Sequence, residues 1–218
     1  MALGPEVGVV DYGMGNLRSV AGALEALGAR PVISPEPAEL SRCERLVLPG
    51  VGSFFAAMAN LRSRGLDEVI REQVAAGKPL LGVCLGMQLL ARTGTEDGDC
   101  QGLGLIDAEV RRLDERGLPI PHIGFNEVRF EAGRADELCG ALGAAADFYF
   151  VHSYRVVCAD PVDVAGWCDY GGRFAAVVRR GNVFGTQFHP EKSQSNGLKL
   201  LRGFLAAPLP AEELAAAG

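Results

Sequence analysis

The sequence contains no run of about 18 uncharged apolar residues, which is roughly the length that a membrane-spanning helix needs. Residues 1–5 also lack the basic start and the long apolar run of a signal peptide. Basic residues are not in excess either, because the formal net charge is -6 and no basic stripe is available to follow a phosphate backbone. We therefore expect a soluble cytoplasmic protein that binds neither a membrane nor nucleic acid.

Clustered metal ligands are also missing from the sequence. No two cysteines have CxxC spacing, and only three histidines are present, none of them close to two cysteines along the chain. A chain of 218 residues can bury a core of its own and is too large to depend on a disulfide framework. We therefore expect neither a metal site nor a disulfide framework from the six scattered cysteines, which are Cys43, Cys84, Cys100, Cys139, Cys158 and Cys168.

The hydrophobic pattern predicts a single α/β domain. Up to about residue 90, short apolar runs alternate with helical patterns, which is typical of a parallel sheet with helices on both faces. Strands are predicted at residues 6–10, 45–48 and 79–83, and helices at 16–27, 54–61 and 66–76. Overall we expect a mixed, mostly parallel sheet flanked by helices.

The second half of the sequence has a different periodicity. Alternating segments at 147–154, 162–169 and 174–188, the last broken by a turn at 181–182, predict an antiparallel or mixed extension of the sheet. A last helix is predicted at 195–205, so that the domain covers residues 1–205. Residues 206–218 are rich in Ala, Pro and Glu, and we expect them to form a frayed tail.

Cys84 stands between a predicted strand and a predicted helix. Gly82 and Gly86, two residues to either side, permit the sharp turn of a nucleophile elbow. The start of the following helix favours a thiolate, and the backbone N–H of Leu85 can face a developing oxyanion. A free cysteine is usually a buried core residue, and we interpret the other five as core or surface residues. The context of Cys84 indicates a nucleophile.

A cysteine nucleophile needs a base, because a thiol with a pKa of about 8.5 is mostly protonated at neutral pH. His189 directly follows an apolar strand, and Glu191 at i+2 can lie on the same side as the imidazole in extended backbone and fix its tautomer. His122 and His152 have no carboxylate at that spacing, and either one could be structural. His189 is therefore the predicted base, and His152 is the alternative.

The heptapeptide GVCLGMQ at residues 82–88, together with HPE at 189–191, resembles the class I, or triad, glutamine amidotransferase family. Its fold is a mixed sheet flanked by helices. The resemblance implies that Cys84 attacks the side-chain amide of glutamine, that His189 protonates the departing ammonia, and that the glutamyl thioester is then hydrolysed. Glu191 completes this triad, and no metal or organic cofactor takes part.

The segment LPGVGS at residues 48–53 resembles the family's oxyanion strand, although from its residues alone it is equally a glycine turn after a strand. The resemblance implies that the backbone N–H groups of Val51 and Leu85 hold the tetrahedral oxygen. It also implies that L-glutamine is bound by Gly52, Gln88, Ser153 and Tyr154, the last two largely through their backbone. Without the resemblance, Gln88 could be only a surface residue of the helix.

Four further segments, at residues 11–20, 87–88, 121–126 and 150–154, most resemble one branch of the family. Glutaminases of this branch supply ammonia to a cyclase subunit in histidine biosynthesis, which implies a heterodimer with such a cyclase. Phe125 stands where many relatives have tryptophan, so an indole hydrogen bond would be lost there. One alternative is a glutaminase for a pyridoxal phosphate or anthranilate synthase. Another is a non-catalytic interaction module, in which Cys84 would be no more reactive than the other cysteines.

Overall fold

The computed structural model describes residues 4–114 and 117–209. Its strands are β1 (Glu6–Val10), β2 (Arg30–Ser34), β3 (Arg45–Leu48), β4 (Leu80–Val83), β5 (Thr93–Gly94), β6 (Cys100–Gln101), β7 (Ala108–Arg112), β8 (His122–Phe130), β9 (Ala145–His152), β10 (Tyr154–Cys158), β11 (Val164–Asp169), β12 (Arg173–Arg180) and β13 (Val183–Thr186). Its α-helices are α1 (Leu17–Glu25), α2 (Pro37–Arg42), α3 (Phe54–Ser63), α4 (Leu66–Ala75), α5 (Leu85–Leu89), α6 (Asp136–Cys139) and α7 (Gln194–Ala206).

A nine-stranded sheet in the order β2-β1-β3-β4-β13-β12-β11-β8-β9 forms the centre of the molecule. The strands from β2 to β13 pair in parallel, and those from β13 to β9 pair antiparallel. The predicted α/β fold with a mixed sheet is therefore confirmed. Parallel and antiparallel pairings are equal in number, so the sheet is less dominated by parallel pairs than the sequence suggested.

Successive residues of a strand point to opposite faces of the sheet, so the apolar strands of the parallel half have two faces to bury. Helices cover both of these faces. On β4, Leu81 packs in an apolar cluster with residues of α1 and α7, whereas Leu80 packs in a second cluster with residues of α3 and α4. Each helix contributes one apolar stripe, as Leu200 and Phe204 do for α7. This two-sided packing holds the parallel strands, and hence their carboxyl ends, in place.

A second sheet, in the order β10-β7-β5-β6, lies outside the central one. The segment predicted as one strand at 147–154 contributes to both sheets, since β9 ends at His152 and β10 starts at Tyr154. Tyr154 pairs with Arg112 of β7, whereas His152 pairs with His122 of β8. The alternation of apolar residues continues through this switch, so periodicity alone could not reveal it.

The last helix continues slightly beyond its predicted end. Ala206 still belongs to α7, and Ala207 is buried, with its carbonyl oxygen accepting a hydrogen bond from Arg45 Nη2 at 2.9 Å. Chain packing therefore reaches Ala207, and residues 210–218 of the predicted tail lie outside the described residues. Within the two described ranges, no helix has the length and apolarity that crossing a membrane would require.

Candidate active site

The predicted triad and oxyanion residues come together at the carboxyl ends of three neighbouring parallel strands, and Ser153 and Tyr154 reach the same cavity from the junction of β9 and β10. Leu48 of β3 is in register with Gly82 of β4, and Val83 of β4 is in register with Thr186 of β13. The segments that follow these strands therefore meet at one edge of the sheet, where ligands bind in open α/β sheets. They are the glycine-rich loop 49–52, the elbow at Cys84 and residues 187–191.

Cys84 occupies the turn between β4 and α5 in a strained conformation, with φ 54° and ψ -108°. The two flanking glycines are required by close packing. A Cβ at Gly86 would lie 1.7 Å from the Leu48 carbonyl oxygen, and one at Gly82 would lie 2.6 Å from the Gly86 carbonyl oxygen. The Cys84 N–H donates to the Thr186 carbonyl oxygen at 2.7 Å, which ties the elbow to β13. The geometry is that of a nucleophile elbow.

His189 and Glu191 form a buried pair, with His189 Nδ1 2.8 Å from Glu191 Oε1. The expectation of extended backbone between them was wrong, because Pro190–Lys192 forms a 3-10 turn. This turn brings Glu191 back beneath the imidazole. Ser193 supports the arrangement, since its hydroxyl donates to the His189 carbonyl oxygen at 2.7 Å and accepts from the Tyr149 N–H at 2.9 Å.

The environment of His189 favours the protonated ring. Burial lowers the pKa of His189, but its interactions with Cys84 and Glu191 outweigh burial and raise the pKa to about 9. Nδ1 is held by the Glu191 carboxylate. Nε2 is buried, and no atom of residues 4–114 and 117–209 lies in hydrogen-bonding geometry to it. Nε2 is therefore the ring atom that is free to exchange a proton with the Cys84 thiol.

His152, the alternative base, has both ring nitrogens engaged. Its Nδ1 is 2.9 Å from the Tyr154 carbonyl oxygen, which can only accept, so Nδ1 carries the hydrogen. Its Nε2 then accepts from His122 Nδ1 at 3.0 Å. Burial lowers the pKa of His152 to about 3 and that of His122 to about 4, so both rings are neutral at physiological pH. This arrangement suits a structural pair better than a base.

A cavity of about 300 Å³ opens beside Cys84, at the small end of the range of ligand pockets. It is lined by Val51, Gly52, Cys84, Leu85, Gln88, Glu96, Pro121, Val151, His152, Ser153 and Tyr154. Every predicted oxyanion and glutamine-binding residue is among them. His189 is buried and interacts with Cys84, and Glu191 is buried and pairs with His189.

Gln88 is buried at the wall of this cavity, so the alternative of a helix surface residue was wrong. Its Nε2 donates to the Tyr154 carbonyl oxygen at 3.1 Å and to Gln187 Oε1 at 3.2 Å. Both amide hydrogens are thereby used, and Oε1 is left as the atom that can accept from a ligand.

The glycine-rich loop is anchored at its start and open at its end. The hydroxyl of the buried Tyr12 donates to the Pro49 carbonyl oxygen at 2.9 Å, and a Cβ on Gly50 would lie only 2.3 Å from that hydroxyl. Val51 is 43% exposed, and Gly52 has φ 109°, which favours glycine. The N–H groups of the first turn of α5, including that of Leu85, have no partner within the helix.

Glu96 is a cavity residue that sequence reasoning missed. Its Oε2 accepts from the Phe54 N–H at 3.1 Å, at the start of α3, and burial raises the pKa of its carboxyl group. It lies in a short polar loop with no recognisable motif, so no sequence signal separates it from a solvated carboxylate. In the described part of the chain, no three His, Cys, Asp or Glu side chains cluster as a metal site would require.

Comparison with known proteins places this geometry in context. A family model described as glutamine amidotransferase class-I matches residues 8–207. The chain is 47% identical over 198 residues to the imidazole glycerol phosphate synthase subunit HisH of Moorella thermoacetica, covering 91% of this chain and 93% of that protein. It is 46% identical over 202 residues to the same-named subunit of Rhodopirellula baltica, covering 92% and 97%.

The fold is also found among solved structures. PurLQS from Thermotoga maritima superposes with a TM-score of 0.71 at 22% sequence identity, covering 93% of this chain and 98% of that one. At this identity the likeness concerns the fold alone.

Proposed function

The chain belongs to the class I glutamine amidotransferase family, and on that premise we propose that it is the glutaminase subunit of an imidazole glycerol phosphate synthase. It hydrolyses L-glutamine to glutamate and ammonia and passes the ammonia to a cyclase subunit in histidine biosynthesis. One observation carries the proposal. Relatives with that name are 46–47% identical over more than nine-tenths of both chains.

In the proposed reaction, the proton of the Cys84 thiol moves to His189 Nε2, and the sulfur attacks the carboxamide carbon of glutamine. His189 then returns the proton to the departing nitrogen, which leaves as ammonia, and a glutamyl thioester remains on Cys84. Water then attacks the thioester while His189 takes a proton from the water. The Cys84 thiolate departs as the leaving group, and glutamate is released. Glu191 keeps Nδ1 protonated and Nε2 directed at the reacting atoms.

The N–H groups of Val51 and Leu85 are proposed to bind the oxygen that becomes negative in each tetrahedral intermediate. Gly52, Gln88, Ser153 and Tyr154 hold the substrate. Gln88 takes part through Oε1, because both hydrogens of its amide are already committed to other acceptors.

Glu96 adds a negative charge to the cavity wall, and we propose that its carboxylate binds the α-ammonium group of glutamine. A charge-assisted hydrogen bond of this kind is stronger than a neutral one and would favour an amino acid over a simple amide. The Phe54 N–H holds one carboxylate oxygen, which fixes the direction of the other.

The proposed partner is the cyclase subunit, in a heterodimer located in the cytoplasm. Large apolar side chains are exposed on β8, where Ile123 is 59% and Phe125 is 53% exposed, and this strand follows Pro121 at the cavity wall. Exposed apolar surface of this kind commonly marks a protein interface. Docking there would enclose the mouth of the cavity and allow ammonia to pass to the partner.

Reconstitution with alternative synthases tests the function. The chain and glutamine are combined with the cyclase and its substrate, the phosphoribulosyl formimino aminoimidazole carboxamide ribotide, and formation of imidazole glycerol phosphate is followed. Parallel mixtures contain a pyridoxal phosphate synthase or an anthranilate synthase subunit with its own substrates. We expect glutamine-dependent synthesis only with the cyclase, and activation of either other synthase instead would contradict the assignment.

Substituting His189, Glu191 and His152 one at a time should separate their roles. We expect His189→Asn to lower the glutaminase rate of the complex on the order of a hundredfold, because the proton carrier is lost. Glu191→Gln should have an intermediate effect, because it perturbs the orientation of the ring and leaves the carrier in place. His152→Asn should cost far less, and equal losses at His152 and His189 would reopen the choice of base. Steady-state glutamate production is the measurement.

A further inference from the structure

We propose that Gln187 is a further catalytic residue of this site, and that its Nε2 donates a hydrogen bond to the Cys84 sulfur when the sulfur is negatively charged. The inference rests on the proposed function, since it assigns a role in the same cysteine chemistry. Gln187 lies two residues before His189, where the HPE motif begins, and neither the elbow motif nor the resemblance identified it.

Gln187 is held in a completely buried position. Its backbone N–H donates to the Ala176 carbonyl oxygen at 2.9 Å, which continues the pairing of β13 with β12 by one residue. Its side chain is 0% exposed. A buried amide is costly unless its polar atoms have partners, so the partners of this side chain indicate why glutamine is accommodated there.

The orientation of the Gln187 amide follows from a backbone carbonyl. The Tyr154 carbonyl oxygen only accepts, so the Gln88 atom 3.1 Å from it is Nε2. That nitrogen also lies 3.2 Å from the Gln187 amide, whose facing atom must therefore be the acceptor, Oε1. The remaining atom, Nε2, is a donor and lies 3.8 Å from Cys84 Sγ. The Tyr154 carbonyl thus determines that the sulfur faces an N–H group.

The second neighbour of the sulfur has the opposite polarity. The Val151 carbonyl oxygen lies 3.8 Å from Sγ and can accept a hydrogen bond from the thiol. Once the proton has moved to His189, the thiolate has no hydrogen to donate, and of these two neighbours only the Gln187 N–H is complementary to it. The sulfur is negative before it attacks glutamine and again when it leaves the thioester. Gln187 would therefore stabilise the nucleophile and the leaving group.

Alkylation of Cys84 by iodoacetamide measures this effect without using the glutamine-binding residues. The rate at Cys84 is followed by peptide mass spectrometry from pH 5 to pH 10 in the full-length wild-type chain and in Gln187→Met, which has similar length and no donor. Hydrogen bonds to charged groups typically change an equilibrium by about tenfold to a hundredfold, so we expect the pH of half-maximal rate to rise by about one to two units. The plateau rate at high pH should be retained.

Two further variants separate this role from a general disturbance. Gln73→Met removes a half-buried glutamine on α4, away from the cavity, and should leave the profile unchanged. Gln187→Glu can still accept from Gln88 when it is ionised but offers the sulfur no N–H. Its negative charge also disfavours the thiolate, so it should raise the midpoint further than Gln187→Met does. Gln187→Leu, which is neutral and has no donor, replaces Gln187→Met if that variant does not fold.

Glutamine hydrolysis by the wild-type complex is measured in parallel. If the complex is active and the alkylation midpoint is unchanged in the folded Gln187 variants, the role of Gln187 is overturned while the proposed function stands. If the wild-type complex does not hydrolyse glutamine, the proposed function fails, and this inference fails with it. A raised midpoint with a lowered kcat and a nearly unchanged KM supports the inference.

Discussion

Replacing Cys84 with alanine should abolish glutamine-dependent synthesis by the complex and leave synthesis from added ammonium salt intact. The substitution removes the atom that forms the thioester, so no ammonia can be released from glutamine. The acceptor chemistry is proposed to lie on the cyclase and does not need the sulfur. Alanine, like cysteine, has a Cβ, so we expect the strained backbone conformation of residue 84 to be kept in the variant.

The measurement is the rate of product formation by the complex with glutamine and, separately, with ammonium salt. Cys168→Ala is a matched control, because Cys168 is a buried core thiol whose pKa is raised by burial to about 12. The control should retain both activities. Loss of ammonia-dependent synthesis together with glutamine-dependent synthesis in Cys84→Ala would show that the two chemistries are not divided between chains in this way.

Four of the other five cysteines, Cys168 among them, lie in environments that disfavour the thiolate. Burial raises the pKa of Cys139 and Cys158 to about 12 and also raises the pKa of Cys43. Their thiols are therefore protonated at neutral pH and poor nucleophiles. Cys84 alone among the six combines a nucleophile elbow with an imidazole that interacts with it.

The parts of the site that depend on local chemistry were predictable from the sequence. The bounds of β1 and β3 match the predicted strands, because a short, mostly apolar run has few alternatives. The nucleophile elbow was also predictable from the sequence. Gly82 and Gly86 are required there by close contacts within one strand–turn–helix unit and with the neighbouring strand β3.

The supporting residues could not be predicted, because their partners are far away in the sequence. Gln187 meets a residue 103 positions earlier, and Tyr12 meets one 37 positions later. The carboxylate of Glu96 reaches the start of a helix 42 positions before it. No periodicity or spacing marks such contacts, since they exist only once the sheet has brought the strand ends together.

Activation by the partner is the second large effect that we expect. The isolated chain should be a poor glutaminase, and docking to the cyclase with its nucleotide substrate bound should accelerate hydrolysis by orders of magnitude. We place the switch at the peptide that carries the Val51 N–H. If that N–H faces away from the oxyanion in the resting state, one donor is missing, which typically costs about 2.7–4 kcal/mol, or roughly a hundredfold to a thousandfold in rate.

The loop is suited to such a change at one peptide. Tyr12 holds the Pro49 carbonyl oxygen and packs against Gly50, so the start of the loop is restrained. Gly52 on the other side has a backbone conformation that few other residues adopt, and glycine can rotate from it at modest cost. The exposed Val51 side chain lies at the cavity mouth, where a docked partner can contact it. Rotation is thus confined to the peptides around Val51.

A ligand on the cyclase can drive this rotation only if it binds the active arrangement more tightly than the resting one. The same coupling must then act in reverse, so the nucleotide substrate should tighten binding of a glutamine analogue or of the two subunits. Glutamate production is measured for the chain alone, with cyclase, and with cyclase plus nucleotide.

Two variants at one position test whether the Val51 N–H is the switch. Val51→Pro has no backbone N–H, so its complex should stay near the rate of the isolated wild-type chain even with the nucleotide bound. Val51→Ala keeps the N–H and should be activated like the wild type, which controls for loss of the side chain. Full activation of Val51→Pro would rule out this donor as the gate. An isolated wild-type chain that turns over as fast as the complex would rule out gating altogether, because no donor could then be missing in the resting state.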